Sequence, residues 1–362
     1  MEKAQLNRVY LSSNVLEQAQ KRVSLIFDKF SRIIVSISGG KDSTALFWLA
    51  VQEASKRNRK IKVFFLDQEA EYQSSIDLIE RMMQHPAVNP IWFQVPINLT
   101  NATSYSQDMF RCWGEGRTWI REKNPIAIQR IEEKYPERFY ELFSWLEKRN
   151  EDTAFLVGLR AEESLNRQKA MLYSGWSNIR WSTKTQGKNT FRFYPIYDWG
   201  MGDIWKFIND FNLPYNSVYD KMYRAGKNYY KTMRVSNLIH EKSFKCLSDL
   251  QVYEPETFDK LVSLVPGIHT ASIYSGEKTV FNNIVLPENF KMWKDFRDHL
   301  LNTIPLKNRD RFKDMFSQQP HDEAMYKKQV RQLQLNDYEN NLDIKAKKSN
   351  KAELHEKWWD AL

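Results

Sequence analysis

The sequence predicts an α/β protein built on a doubly wound parallel sheet, followed by a mostly helical C-terminal extension. Short runs of apolar, often β-branched residues alternate with segments of helical periodicity between about residues 30 and 225. The first of these runs ends in two glycines, directly before a helical segment. The alternation is lost beyond about residue 228, where only helical patterns recur.

The first elements alternate strictly between helix and strand. Residues 1–30 are predicted to form a helix, with Ser13 or Asn14 as a candidate N-cap. The apolar run at 32–38 has the composition of a strand that is buried on both faces. The same criteria predict a helix at 42–54, a strand at 62–67, a helix at 74–83 and a strand at 91–95. This order favours parallel pairing, with helices on both faces of the sheet.

Residues 98–124 interrupt the alternation and are interpreted as an insertion or a long active-site loop. After it we predict a helix at 125–149, strands at 153–157 and 191–196, and helices at 203–209, 232–248, 255–264 and 288–334. Four parts follow from this order: an N-terminal helix at 1–27, a sheet-containing domain at 28–228, a helical domain at 229–340 and a basic tail at 341–362.

Composition limits the function classes. The formal net charge is +9, which favours polyanionic partners such as nucleotides or nucleic acid, although it also fits a basic protein with no such partner. No run of about 18 apolar residues predicts a membrane span, and the first residues lack a signal-peptide pattern, so we expect a cytoplasmic protein. Two cysteines exclude a disulfide scaffold and a four-cysteine metal site within this chain, and the histidines lack zinc-site spacing.

The most informative segment is the hexapeptide that follows the first strand. Its two glycines let the backbone turn sharply and let amide groups approach an anion, and the helix that follows directs its positive dipole end to the same place. Lysine adds a full charge and the serines add hydroxyl donors. The spacing is not that of a Walker A loop, and a plain glycine turn between strand and helix is the alternative. The predicted phosphate-binding residues are Ser38, Gly39, Gly40, Lys41, Asp42 and Ser43.

This hexapeptide resembles the PP-loop of the N-type ATP pyrophosphatases and the phosphoadenosine phosphosulfate (PAPS) reductases. Three further matches follow in order: Asp67 at the end of the second strand, the stretch 158–167, and the segments 194–199, 203–205 and 213–216. The resemblance covers roughly residues 30–225 and is closest to the IbrA-like branch, which has a helical C-terminal extension and in which some relatives are paired with a ParB-like partner. It adds Asp67, Gly158, Arg160, Glu163, Ser164 and Arg167 to the expected nucleotide-binding residues.

The resemblance implies an enzyme that binds ATP, or PAPS, together with Mg²⁺. In the pyrophosphatase mode, ATP is cleaved at the α–β bond and an acceptor, which could be a nucleic acid, is adenylylated. Lys41, Asp42 and Arg160 are the expected catalytic residues, and Asp42 and Asp67 the expected magnesium ligands. Two alternatives remain: reductase-type chemistry on an adenylyl sulfate, and a nucleotide-sensing module that regulates a ParB-like, DNA-associated partner without turnover.

Reductase chemistry needs a reactive thiol, and the family's Glu-Cys-Gly-Leu-His segment is absent from this sequence. Cys246 is interpreted as a buried structural cysteine, whereas arginines beside Cys112 could lower its pKa and activate it. Three basic segments could contact phosphates or a polynucleotide: 105–121, 178–188 and 220–231. The alternatives for them are an amphipathic lid, a solvated hairpin and an ordinary charged surface.

Overall fold

The structure is a computed structural model that describes residues 12–163, 175–228, 233–240, 246–274, 285–340 and 342. The chain divides into two compact units. Unit 1 comprises residues 1–99, 109–238 and 249–265, and unit 2 comprises residues 100–108, 239–248 and 266–362. Among the described residues, no helix combines the length and the hydropathy that crossing a membrane requires.

Unit 1 is built around a six-stranded sheet that confirms the predicted fold class. The strand order is β3-β2-β1-β6-β8-β7, and all neighbouring pairs are parallel except β7 with β8 at one edge. The chain first winds outward from β1 through β2 to β3, and then continues on the other side of β1 with β6. The strands are β1 (Arg32–Ser36), β2 (Ile61–Leu66), β3 (Val88–Phe93), β4 (Ile97–Thr100), β5 (Met109–Cys112), β6 (Thr153–Val157), β7 (Ser182–Lys184) and β8 (Phe191–Phe193).

Helices cover both faces of the sheet because successive side chains of a strand point to opposite faces. Val35, Val63 and Leu156 belong to the core that packs against four helices, α1, α2, α3 and α5. On the opposite face, Phe143 of α4 packs against Phe64 and Phe155, with ring centroids 5.7 and 5.9 Å away. As far as residue 224, the helices that the structure describes are α1 (Val15–Lys29), α2 (Lys41–Lys56), α3 (Gln73–Met83), α4 (Phe139–Arg149), α5 (Met201–Asp210) and α6 (Val218–Arg224).

The helices described beyond residue 246 confirm that the C-terminal region is mostly helical. They are α7 (Leu247–Tyr253), α8 (Pro255–Leu264), α9 (Ile268–Tyr274), α10 (Trp293–Thr303), α11 (Leu306–Ser317) and α12 (Glu323–Gln334). The segment predicted as one long helical stretch at 288–334 contains three helices, separated near Pro305 and Pro320, because proline cannot donate the hydrogen bond that a helix interior needs. The described residues of the helix predicted at 232–248 are not helical before Cys246.

Two other local predictions differ from the structure. The helix predicted at 125–149 begins only at Phe139. Pro125 and Pro136 disfavour helix in the first half, and its backbone bonds to the chain near β3 and β4 instead, with the Gln94 amide donating to Ile128 O at 3.0 Å. The predicted insertion contains β4 and β5, which form a two-stranded sheet. Asn14 is the N-cap of α1, as predicted, and accepts from the Glu17 amide.

Candidate functional site

The hexapeptide occupies the crossover between β1 and α2, at the carboxyl edge of the parallel sheet. The strand order reverses between β1 and β6, and ligands of open α/β sheets bind beside such reversal points. Gly39 has a φ of +69°, which favours glycine, and a Cβ there would lie 3.0 Å from the Ser75 Cβ. At the end of β6, a Cβ on Gly158 would lie 2.9 Å from the backbone of Ser43. Two glycines therefore let β6 and α3 approach the loop closely.

Hydrogen bonds between the loop's own groups hold its shape. The Ser38 amide donates to the Ser43 Oγ at 3.1 Å, and the Ser43 hydroxyl donates to the Gly40 carbonyl at 2.9 Å. The Thr44 hydroxyl donates to the same carbonyl at 2.9 Å. The helix N-cap is Gly40, which has no side chain to cap the first amides of α2. The loop thus combines a fixed shape with the partial positive charge of a helix N-terminus.

The structure brings the three predicted catalytic residues together. Lys41 Nζ lies 3.3 Å from Asp42 Oδ2, and Arg160 Nε donates to Asp42 Oδ1 at 2.5 Å. Lys41, Asp42 and Arg160 are only 5%, 9% and 2% exposed. The carboxylate of Asp42 therefore sits between two cations, each on a different oxygen, and holds both at the start of α2.

Burial lowers the pKa of Lys41 below its ordinary value, mainly because a charged ammonium loses water there. Asp42 opposes this shift, whereas the charges of Arg160 and Arg234 lower the pKa further. Arg234 was not predicted as a site residue. It is exposed, and its charge acts on Lys41 although it lies 193 positions later in the chain. A local motif could not reveal such a neighbour.

Arg160 is held by several further groups. Its Nη1 donates to Glu162 Oε2 at 3.0 Å and to the Trp199 carbonyl at 3.4 Å. Its Nη2 lies 3.8 Å from Glu163 Oε1. Glu162 also accepts from the Met201 amide at 3.1 Å, so it links the arginine to the start of α5. Glu163, a predicted binding residue, thus contacts Arg160. The predicted residues Ser164 and Arg167 lie outside the described part of the chain.

The segment that precedes α6 fixes the loop from another side. The Asn216 amide group donates to the Gly39 carbonyl at 3.1 Å and to the Ser75 Oγ at 2.8 Å. Tyr219 Oη accepts from the Lys41 amide at 3.1 Å. Asn216 belongs to the segment 213–216, one of the matches to the PAPS reductase family. Neither Asn216 nor Tyr219 was predicted as a site residue. The match at 213–216, Leu-Pro-Tyr-Asn, was the sequence feature that could have suggested Asn216.

Asp67 follows β2 and is fully engaged by hydrogen-bond donors. Its Oδ2 accepts from Gln94 Nε2 at 2.9 Å and from Trp92 Nε1 at 3.2 Å. Its Oδ1 accepts from the Glu69 amide at 2.8 Å and pairs with Arg121.

The expected magnesium site does not fit these contacts. A metal ligand needs free lone pairs facing the ion, whereas both oxygens of Asp42 and both of Asp67 already accept from or pair with positive or N–H groups. Within the described ranges, no cluster of three or more histidine, cysteine or acidic side chains could hold a metal ion. We therefore assign no metal ligand among the residues that the structure describes.

Most of the aromatic and basic side chains at 109–121 are buried or partly buried, although Arg111 is exposed, so the stretch does not form an open stacking surface. Phe110 and Trp113 are buried. Glu69 anchors this stretch: it pairs with Arg117 and accepts from the amides of Trp113 at 2.6 Å and Ile120 at 3.0 Å. The packed-lid alternative therefore describes these residues better than a surface on which bases stack.

The surroundings of the two cysteines differ. Burial is the main cause that raises the pKa of Cys112 well above its ordinary value, and nearby carboxylates including Glu69 add to it, so the thiol stays protonated and inert. The charge of Arg117 lowers the pKa of Cys112, as predicted, but burial raises it by more. Cys246 is only partly buried and immediately precedes α7.

The other two basic segments are partly engaged within the fold. Residues 182–184 pair with β8 as an antiparallel edge strand, which agrees with the hairpin alternative. Lys221 Nζ donates to the Tyr253 carbonyl at 2.6 Å, and Lys227 pairs with Asp249 at 2.7 Å. Residues 229–231 lie outside the described part of the chain.

Comparison with protein families agrees with this geometry. Residues 32–225 match the model of the phosphoadenosine phosphosulfate reductase domain, which is more than half of the chain. The chain belongs to this family. It is thus a nucleotide-binding enzyme of the PP-loop, PAPS reductase-like type. Residues 228–322 match a second model, a domain of unknown function (DUF3440). This second match includes Arg234 and the whole of α8.

Individual relatives are distant. An uncharacterized protein of Escherichia coli (strain K12), YbdN, is 28% identical over 328 residues, covering 85% of this chain and 79% of the relative. Adenosine 5'-phosphosulfate reductase of Oceanobacillus iheyensis is 24% identical over 53% of this chain and 67% of its own length. A crystal structure of Candida glabrata FMN adenylyltransferase with FMN and an ATP analogue has 16% identity and a TM-score of 0.35, covering 59% of this chain and 65% of that chain. A similarity at that level supports no functional conclusion.

Proposed function

We propose that this chain binds ATP through its polyphosphate and cleaves it at the α–β bond, transferring the adenylyl group to an acceptor. The observation that carries this proposal is the loop itself: the N-terminus of α2, whose glycine N-cap has no capping side chain, lies at the reversal point of the sheet with two buried cations on one carboxylate. A polyphosphate is the anion best matched to several amides and two full positive charges. Arg234 adds an exposed guanidinium whose charge reaches Lys41.

In the proposed reaction, an acceptor oxygen attacks the α-phosphorus of ATP. A new P–O bond forms as the bond from the α-phosphorus to the bridging oxygen breaks, and that oxygen leaves with pyrophosphate. The acceptor's proton passes to solvent. The protein contributes position and charge: the loop holds the leaving pyrophosphate, and Lys41 and Arg160 neutralise the negative charge that develops on it. Asp42 orients both cations and does not itself need to contact the nucleotide.

Reductase chemistry on an adenylyl sulfate is the competing possibility for this family. It requires a thiolate that attacks the sulfur, and the buried Cys112 has a raised pKa that keeps its thiol protonated. We therefore favour adenylyl transfer. The net charge of +9 supports a polyanionic acceptor, and we propose a nucleic acid or a group bound by a nucleic-acid-associated protein partner, such as the ParB-like partner that the resemblance suggests.

Replacing Lys41 by alanine tests the site directly. We expect ATP and pyrophosphate to bind the Lys41→Ala variant at least about tenfold more weakly, because a cation facing the phosphates contributes on the order of 1.5–3 kcal/mol. Isothermal titration calorimetry measures both affinities without knowledge of the acceptor. Lys56→Ala is the matched control, since Lys56 is an exposed lysine at the other end of α2.

Product analysis separates the candidate reactions. With ATP labelled on the α-phosphorus and nucleic acid or partner protein as acceptor, adenylyl transfer yields pyrophosphate together with labelled acceptor or AMP. ADP and phosphate as the only products would contradict the proposed cleavage. Release of sulfite from an adenylyl sulfate with an added thiol would establish the reductase alternative. Tight ATP binding with no turnover under every condition would instead support a nucleotide sensor.

A further inference from the structure

Tyr219 places a buried hydroxyl group directly on the phosphate loop. The residue lies in α6 and is 2% exposed. Its Oη accepts a hydrogen bond from the Lys41 amide at 3.1 Å and would lie 3.8 Å from a Cβ on Gly40. The phenol oxygen therefore lies at the peptide that begins α2.

The hydroxyl of Tyr219 has one hydrogen-bond function that the fold does not use. A phenol can accept and can also donate one proton. Tyr219 accepts from the amide of Lys41, but its own proton has no acceptor among the residues that the structure describes. A buried donor without an acceptor lowers the stability of the fold by about 1–3 kcal/mol, so such donors are rare in native proteins and often serve a function. At an anion-binding loop, an oxygen of the anion is the acceptor that could complete this hydroxyl.

The tyrosine is held rigidly in this place. Its ring packs edge-on against Trp205, with centroids 5.2 Å apart and planes at 82°. The Tyr219 amide donates to the Asn216 carbonyl at 3.2 Å, and the side chain of Asn216 in turn binds the Gly39 carbonyl. One short segment thus fixes both the loop and the phenol. A group fixed before the ligand arrives loses little entropy when it binds.

The protonation state suits a donor. Burial raises the pKa of Tyr219 above its ordinary value, so the phenol stays neutral and keeps its proton at physiological pH. The ammonium of Lys41 lies 5.8 Å from the centroid of the Tyr219 ring, so the phenol and a cation belong to the same part of the loop.

We propose that Tyr219 is a polyphosphate-positioning residue: the Lys41 amide donates to its hydroxyl, and that hydroxyl donates to a non-bridging oxygen of the bound phosphoanhydride. The two hydrogen bonds form a chain in which each strengthens the other. The inference rests on the proposed nucleotide binding and deepens it, because the chain recognises the polyphosphate rather than adenosine. Tyr219 thereby extends the loop's donor set beyond the hexapeptide.

The test compares Tyr219→Phe with Tyr223→Phe, a change of the same kind at a tyrosine on α6 that is 69% exposed. Calorimetry with pyrophosphate, ATP and adenosine gives three affinities for each protein. We expect Tyr219→Phe to bind pyrophosphate and ATP about tenfold more weakly or worse, with adenosine unchanged and Tyr223→Phe like the wild type. Unchanged or tighter pyrophosphate binding by Tyr219→Phe would overturn the inference, because the hydroxyl would then only cap the Lys41 amide.

A second measurement avoids any loss of folding. Fluorotyrosine at position 219 keeps the hydroxyl, and its fluorine resonance should shift when pyrophosphate is added; no shift at saturating pyrophosphate would overturn the inference while leaving the proposed function intact. Failure of the wild type to bind either ATP or pyrophosphate would overturn the proposed function itself, and the inference with it. The two failures are therefore distinguishable by the behaviour of the wild-type protein.

Discussion

The cations near the phosphate loop differ in how many carboxylates they pair with. Arg160 is shared among Asp42, Glu162 and Glu163, and Lys41 shares Asp42 with it. Arg234 has no carboxylate within ion-pair distance among the described residues, yet its charge is felt at Lys41. The charge of a buried cation that is paired with carboxylates is largely neutralised by them. An exposed cation without such a partner keeps its charge and its N–H groups available to a ligand. We therefore expect Arg234 to contribute to phosphate binding through its charge.

Neutralising this arginine should weaken nucleotide binding without unfolding the protein. For Arg234→Gln we expect ATP affinity to fall about fivefold, since an exposed charge pair contributes up to about 1 kcal/mol. The loss should shrink as salt rises from low concentration to about 1 M, because exposed charges are screened. Calorimetry at two salt concentrations measures this. Arg224→Gln, at another exposed arginine, is the control; equal losses in both variants would mean that net charge alone is responsible.

At the scale of elements, a distant part of the chain completes a helix of the sheet domain. The first turn of α3 is capped by Glu254, which accepts from the amides of Gln73 at 2.6 Å and Ser74 at 3.0 Å and from the Ser74 hydroxyl. Glu254 immediately precedes α8 and lies in the region matched by the second family model, yet α8 belongs to unit 1. Through Ser75, α3 in turn contacts the phosphate loop.

Removing this cap should destabilise unit 1. Glu254→Ala leaves two amides of α3 without their acceptor, and we expect a loss of about 1–3 kcal/mol in the free energy of unfolding. Urea denaturation measures it. The control is Glu256→Ala, an exposed glutamate two positions later that serves no α3 amide; we expect it to cost less than about 1 kcal/mol. A loss no larger in Glu254→Ala than in the control would show that solvent replaces the cap.

The stability of the whole molecule should depend on pH through one buried carboxyl. Glu71 is 5% exposed, and its pKa is raised to about 8, mainly by burial and further by Asp67, while Arg121 opposes the shift. The ordinary value is 4.5. Between these two pKa values the folded protein keeps the proton and the unfolded chain has released it. Stability therefore falls as the pH rises through this window and levels off above it.

Glu71→Gln should remove that part of the pH dependence. Near pH 4 we expect the variant and the wild type to be about equally stable, because glutamine resembles the protonated acid. The variant should then gain on the wild type as the pH rises, by at most about 1.4 kcal/mol per pH unit, with no further gain above about pH 8. Denaturant unfolding across this range measures the difference, with the exposed Glu122→Gln as control. A constant difference at all pH values would refute the raised pKa.

The sequence by itself determined the fold class, the parallel strands and the position of the phosphate loop. These follow from local rules: β-branched runs form buried strands, helical periods form helices, and two glycines between them make an anion-binding turn. Arg160 also came from the sequence, through a resemblance carried by neighbouring residues. All of these depend on residues close together in the chain.

Tertiary structure alone decided which distant groups contact the loop or act on it through their charge. Tyr219 and Arg234 lie 178 and 193 positions after Lys41, and no local pattern marks them. It also decided that Asp67 is occupied by donors and that burial outweighs the arginines near Cys112. The physical reason is the same in each case: desolvation and long-range hydrogen bonds depend on what packs around a residue, whereas spacing along the chain reports only its near neighbours.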